Sequence, residues 1–217
     1  MSALPSTVMN DGSYAATTPD QTRRTRGAKL DGILEAALGS FAELGFSGAS
    51  MRTIAGRAGT SLSNLYNYFP SKDDLLVAVL KSANDELLDR VTRTVDSSGP
   101  SHEERLRAAV RAYVGFSTDH QLASIVAMSE FRYLAGERRQ DVVTARDSTQ
   151  QIFVDLISEG VEAGAFATRH PREAARAVLL LCSTVATWFQ PNGGLTPEAL
   201  AEQQADFAVA IARGGDR

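Results

Sequence analysis

The chain has 217 residues, of which 43% are hydrophobic and 22% charged, the balance of a globular protein with enough apolar material for a substantial core. Its longest apolar run, residues 177–189, is broken by Cys182, Ser183, Thr184 and Thr187 and is too short to span a bilayer, and the single Cys182 excludes an intramolecular disulfide. The net charge of −4 hides an asymmetry: residues 21–72 hold seven cations against three anions, a net +4 that leaves −8 on the rest, so only one end is suited to meet phosphate.

Residues 1–25 carry no apolar period and are rich in Ser, Thr, Pro, Asp and Gly. They read as a disordered arm ending in the basic cluster Arg23, Arg24 and Arg26. The arm lacks the basic start and apolar stretch of a signal peptide, which points to a cytoplasmic protein. Helical spacing then begins, with Leu30, Ile33, Leu34, Ala37, Leu38, Phe41 and Leu44 recurring at three and four residues. Gly45 closes this helix, because glycine accepts the left-handed backbone of a helix C-terminus.

The next stretch predicts a short helix capped by Ser50 that carries Met51, Ile54, Ala55 and Ala58 on one face and stops at Gly59. Gly59-Thr60-Ser61 forms a three-residue turn, and a second short helix runs over Leu62 to Tyr68, limited by Pro70. Two short helices around such a turn are the layout of a helix-turn-helix, in which the second helix enters the DNA major groove. Ile54, Ala58, Leu65 and Phe69 are placed to close a small core against Phe41. Ser63, Asn64, Tyr66, Asn67 and Tyr68 crowd the second helix with hydrogen-bonding groups of little charge, which suits groove reading better than general solvation.

Ser71-Lys72-Asp73-Asp74 has the form of a capping box and opens a long helix whose stripe is Leu75, Leu76, Val79, Leu80, Leu87, Leu88 and Val91. A second capping box, Ser101-His102-Glu103-Glu104, leads into helices near 102–118, 121–134, 138–163, 171–189 and 197–213. No stretch alternates with period two and no repeat appears, so the fold class is all-α. His102, His120 and His170 lie far apart, and no nucleophile motif, phosphate loop or paired-carboxylate pattern is present. Neither an enzyme, a bound metal nor a cofactor is expected.

The stretch ILEAALGSFAELGFSGASMRTIAGRAGTSLSNLYNYFPSKDDLLVAVL, residues 33–80, resembles the DNA-binding domain of tetracycline-repressor-like (TetR-type) regulators. The resemblance rests on Phe-x-x-x-Gly-Phe, Ser-Met-x-x-Ile-Ala, Ala-Gly-x-Ser and Leu-Tyr-x-Tyr-Phe-x-Ser-Lys, in that order and at these spacings. It implies a homodimer that presents two recognition helices to a palindromic operator, about 34–36 Å apart. Carried over by position, Ser50 and Arg52 approach phosphate and a base edge, and Leu62, Ser63, Asn64, Tyr66, Asn67 and Tyr68 form the recognition helix. Lys72 heads the next helix beside the DNA backbone. Leu62 is apolar where the family often has polar or small residues, which suits contact with a thymine methyl. The implied organisation is an arm at 1–25, a DNA-binding domain at 26–72, and a ligand-binding and dimerisation domain at 73–217.

In the C-terminal half, EFRYLAGERRQDVVTARDSTQQIFVDLISEGVEAGAF and STVATWFQPNGGLTPEALAEQQADFA resemble family members that govern lipid and acyl-CoA degradation. The implied effector is a small molecule, an acyl-CoA or another lipid-like metabolite. Candidates to line its pocket are Tyr113, Phe116, Met128, Phe131, Arg132, Phe153 and Trp188, with Arg132 meeting either a ligand anion or Glu130 or Glu137. Arg107, Arg111, Arg138 and Arg139 are further cations for the phosphates of an acyl-CoA. For pairing, Val178, Leu181 and Val185 repeat along one helix, and Phe207 and Ile211 share a face of the last, a pattern suited to a four-helix dimer interface. The other reading is an architectural DNA binder, which binds many sequences and ignores metabolites.

Overall fold

The computed structural model describes residues 19–214, with side chains from Gly27 onward. The chain order is α1 (Pro19–Gly48), α2 (Met51–Arg57), α3 (Leu62–Tyr68), α4 (Lys72–Asp96), α5 (His102–Asp119) and α6 (Gln121–Ser129). A single 3₁₀ turn at Glu130–Tyr133 leads to α7 (Gly136–Glu162), α8 (Pro171–Trp188) and α9 (Pro197–Arg213). No strand occurs among the described residues, in keeping with the all-α reading. None of the described helices is long and apolar enough to cross a membrane.

Local chemistry sets most boundaries. Gly45 has φ 67° and ψ 166°, which kinks α1 where an L side chain would be strained. Ser50, Ser61, Ser71 and Thr196 accept from the backbone N–H three residues on, at 3.1, 3.1, 3.1 and 3.2 Å, and so cap α2, α3, α4 and α9. Pro171 and Pro197 open α8 and α9, where a missing N–H leaves no helical bond unmade.

Three expectations change. Helix α1 begins at Pro19, inside the 1–25 stretch read as a disordered arm, while residues 1–18 and the side chains of Arg23, Arg24 and Arg26 lie outside those described. Ser101 stands at the N-cap of α5 without a side-chain capping bond, so the second capping box does not form. The helix expected over 121–134 ends at Ser129, because Glu130 turns to a partner on α1.

Two apolar cores share α4, a helix about 37 Å long. One gathers Ile33 and Phe41 of α1, Ile54 of α2, Leu65 of α3 and Leu75 and Leu80 of α4. It also takes in Val126, Leu134 and Val142 from the α6–α7 region. The other packs Leu87 and Val91 of α4 against Leu106, Phe153, Val178, Val185 and Leu200. Truncating Leu65 to alanine removes a fully buried side chain and costs about 2–5 kcal/mol, enough to release α3 from its neighbours.

Candidate functional site

Helices α2 and α3 meet at a turn in which Gly59 takes φ 61°, a conformation that favours glycine. Leu65, without exposed area, anchors α3 inward, and this fixes which side chains face out. Arg52, Ser63 and Asn67 are exposed, and the Tyr66 ring is 47% exposed, an unusual position for an aromatic unless another surface covers it. Among the described arginines, most at the surface are held by carboxylates, as Arg57 is by Glu43. No such pair forms at Arg52, whose charge faces outward next to α3.

Other candidates on this face are spent on the fold. The Ser50 hydroxyl caps α2 and lies 2.8 Å from the Thr53 hydroxyl. The Asn64 amide donates to the Thr60 hydroxyl at 2.7 Å, so its side chain braces the turn. Leu62 and Tyr68 are half-buried against the core, so each shares its surface between packing and the outer face of α3. Lys72 departs furthest from expectation. Its ammonium donates to the carbonyls of Phe46 and Ala49 at 2.5 and 2.9 Å and sits 4.3 Å above the Phe46 ring. It closes the end of α1, with two of its three donors used there instead of on phosphate.

Between α4, α5, α6, α7 and α8 lies a cavity of about 390 Å³, within the range of small-molecule sites. Tyr113, Phe116 and Met128 are in its lining. The remaining candidates stand elsewhere. Phe153 is fully buried one layer back, edge-on to Tyr113 with ring centres 6.2 Å apart. Arg132 is exposed, 5.1 Å from the Tyr133 ring. Trp188 is 49% exposed and lies outside the lining. Phe131 is flanked by the guanidinium groups of Arg139 and Arg146 at 4.2 and 4.3 Å.

Sequence reasoning missed Arg146 and Thr149 in the wall and Arg176 in the α8 part of the lining. Their signal was present: Val142, Arg146, Thr149 and Phe153 follow one another at four, three and four residues, which puts a cation on an inward helical stripe. The arginines proposed for phosphate do not converge. Arg107 pairs with Glu103 and Asp206, Arg111 with Glu104 and Glu202, and Arg138 with Asp74. Burial pushes the Tyr113 phenol well above its usual range and the Cys182 thiol up to about 12, so both stay neutral at physiological pH.

The faces expected to pair subunits divide in two. Val178 and Val185 have no exposed area and belong to the protomer's own core, which corrects their assignment to an interface. The most apolar stripe of α8 is the one that packs inward. Leu181 and Ile211 are half-buried. Phe207 is 55% exposed, and with Trp188 at 49% it leaves large apolar groups on the outer faces of α8 and α9, while the exposed Leu180 belongs to the cavity lining.

A family model of tetracyclin repressor-like C-terminal domains matches residues 99–212, and a model of bacterial regulatory proteins of the tetR family matches residues 33–79. The chain is 28% identical over 185 residues to the HTH-type transcriptional repressor KstR2 of Mycobacterium tuberculosis, spanning 84% of this chain and 90% of that protein. A bacterial regulatory protein of the tetR family from Rhodococcus RHA1 superposes with a TM-score of 0.79 at 26% identity, over 87% of this chain and 98% of that one. The structure of AibR in complex with isovaleryl coenzyme A and operator DNA superposes with a TM-score of 0.76 at 25% identity, over 82% and 97%.

Proposed function

Because this chain belongs to the tetR family of bacterial regulatory proteins, a family of transcriptional regulators and not of enzymes, we propose that it acts as a homodimeric repressor released from a palindromic operator by a small molecule. The observation that carries this reading is the outward set of Arg52, Ser63, Tyr66 and Asn67, held by a fully buried Leu65. Ser63 and Asn67 offer hydrogen bonds to base edges, while Arg52 and the Tyr66 hydroxyl suit phosphate. Residues 26–72 form the DNA-reading unit and residues 73–217 the sensing and pairing unit.

The subunits pair through the outer faces of α8 and α9. Trp188 and Phe207 each lose exposed apolar area there, at about 25 cal/mol per Å². The effector occupies the cavity, and an acyl-CoA or another lipid-like metabolite fits its mixture of apolar wall and half-buried cation. The likeness to AibR, solved with an acyl-CoA and DNA together, supports that class. A ligand that separates the pocket helices shifts α4 and α6, and through them the spacing of the two α3 helices. Weakening operator binding about 100-fold requires the ligand to favour the released form by about 2.7 kcal/mol.

The test is fluorescence anisotropy on duplexes enriched from a random pool. One palindrome should bind tightly and be released by an acyl-CoA. Equal binding to every duplex, with no response to any acyl-CoA, contradicts the proposal and favours an architectural protein.

A further inference from the structure

Arg146 combines two features: it lacks a carboxylate partner, as do the exposed Arg132, Arg139 and Arg176, and it is drawn partly out of solvent into the cavity wall. Arg90, Arg105, Arg107, Arg111, Arg138 and Arg213 each meet a carboxylate, while Arg146 meets none among the described residues. Its guanidinium donates to the Ala127 carbonyl and faces the Phe131 ring at 4.3 Å, contacts that leave its charge without a counter-ion and most of its five N–H groups free. Thr149 follows one helical turn later on the same wall, is 3% exposed, and its buried hydroxyl oxygen has no hydrogen-bond partner. Burial draws the Arg146 pKa down, with Arg139 adding to the effect and Tyr113 opposing it. A half-buried cation with no carboxylate partner, one turn from a buried unsatisfied hydroxyl, opposes folding and marks a site where a ligand completes the bonding.

Building on the reading of this cavity as the effector site, we infer that the effector is an amphipathic acid whose anionic group, a carboxylate or a phosphate, sits between Arg146 and Thr149 while its apolar body lies along Leu87, Phe116 and Leu179. A guanidinium fork matches two oxygens of such a group, and the Thr149 hydroxyl donates to it. A neutral alcohol satisfies Thr149 and leaves the charge unmet. A cation is repelled. Arg176, in the α8 part of the lining, adds attraction for anions at approach. The anion comes either from a free carboxylic acid or from the phosphates of its coenzyme A thioester.

Titration calorimetry on the full chain separates these sources, using saturated acids from butyrate to palmitate, their methyl esters and their coenzyme A thioesters. At the best chain length, at least one anionic form should bind about 10- to 100-fold more tightly than the uncharged ester. Whichever does so identifies the source. Arg146→Met should bring that form down to the level of the ester, Arg146→Lys should restore part of the difference, and Thr149→Val should weaken it several-fold. Equal binding of ester and acid, unchanged affinity in Arg146→Met and Thr149→Val, or no binding by any anionic form overturns the inference. Operator binding without added ligand keeps the two proposals apart. A chain that binds an anionic form but no DNA refutes the regulatory reading alone, and one that binds its operator but neither acid nor thioester refutes the anion site alone.

Discussion

The Glu130 carboxylate accepts the backbone N–H of Phe46 at 2.7 Å and so joins residues 84 positions apart. The carbonyl of the same Phe46 accepts from Lys72 at the head of α4. Phe46 also stacks on Tyr133, with ring centres 5.2 Å apart. One residue past the α1 kink is therefore held by the 3₁₀ turn that follows pocket helix α6 and by the helix that leaves the DNA-reading unit. Under the proposed release mechanism, this linkage carries motion of α6 to α1 in addition to that of α4.

Glu130 is only 5% exposed, so its removal leaves the half-buried Phe46 N–H unmet and should lower stability by about 1–3 kcal/mol. Glu130→Gln keeps the shape with a weaker acceptor. It should retain operator binding while the ligand releases DNA less completely. Urea unfolding and anisotropy at saturating ligand check both, and full release by Glu130→Gln contradicts the coupling.

The Arg138 guanidinium, helped by the Ser71 hydroxyl, holds the Asp74 carboxyl below its ordinary value of 3.8. Because the native value is depressed, this link contributes above the ordinary carboxylate range and is lost as pH falls through the native value. A carbon-detected NMR titration should place Asp74 below 3.8 in the native chain and closer to that value in Arg138→Ala. An unshifted titration contradicts the pairing.

Arg52 and Lys72 should separate in their response to salt. Arg52→Ala should lower the slope of log affinity against log salt by about one per subunit, since its charge faces outward. Lys72→Ala should instead lower stability by about 1–3 kcal/mol, because it leaves the Phe46 and Ala49 carbonyls without that donor. A reduced salt slope and unchanged stability in Lys72→Ala refute the clamp.

Phe207→Asp places a charge on the outer face of α9 and should yield monomers in sedimentation velocity with helical content intact. A persisting dimer moves the interface elsewhere. Val185→Asp, by contrast, should unfold the subunit, because Val185 lies wholly inside its own core.

The parts of this molecule governed by neighbours in sequence are legible in the chain. Gly45, Gly59, Ser50, Ser61 and Ser71 announce their turns and caps within three or four residues, and the α2–α3 layout follows from them. Roles set by distant partners are not legible. Lys72 looks like a free cation until Phe46, 26 positions earlier, turns its carbonyl toward it. On α8 the strongest apolar period selects Val178 and Val185, because a protomer's own core asks for the greasiest stripe. An outward face containing Thr184 and Trp188 carries a weaker signal. In the pocket, Arg132 draws attention by its neighbour Phe131, whereas the cavity's cation, Arg146, lies on the α7 stripe spaced from Val142 to Phe153.

Selection of bound duplexes from a random pool, repeated with Asn67→Ala, tests the recognition role of α3 most directly. The native chain should enrich a palindrome with half-site centres about one helical turn, 34–36 Å, apart. Asn67→Ala should relax one position in each half-site while leaving the spacing unchanged. Enrichment of no palindrome, or an identical consensus from Asn67→Ala together with Ser63→Ala and Tyr66→Phe, contradicts the assignment of α3 as the element that reads DNA.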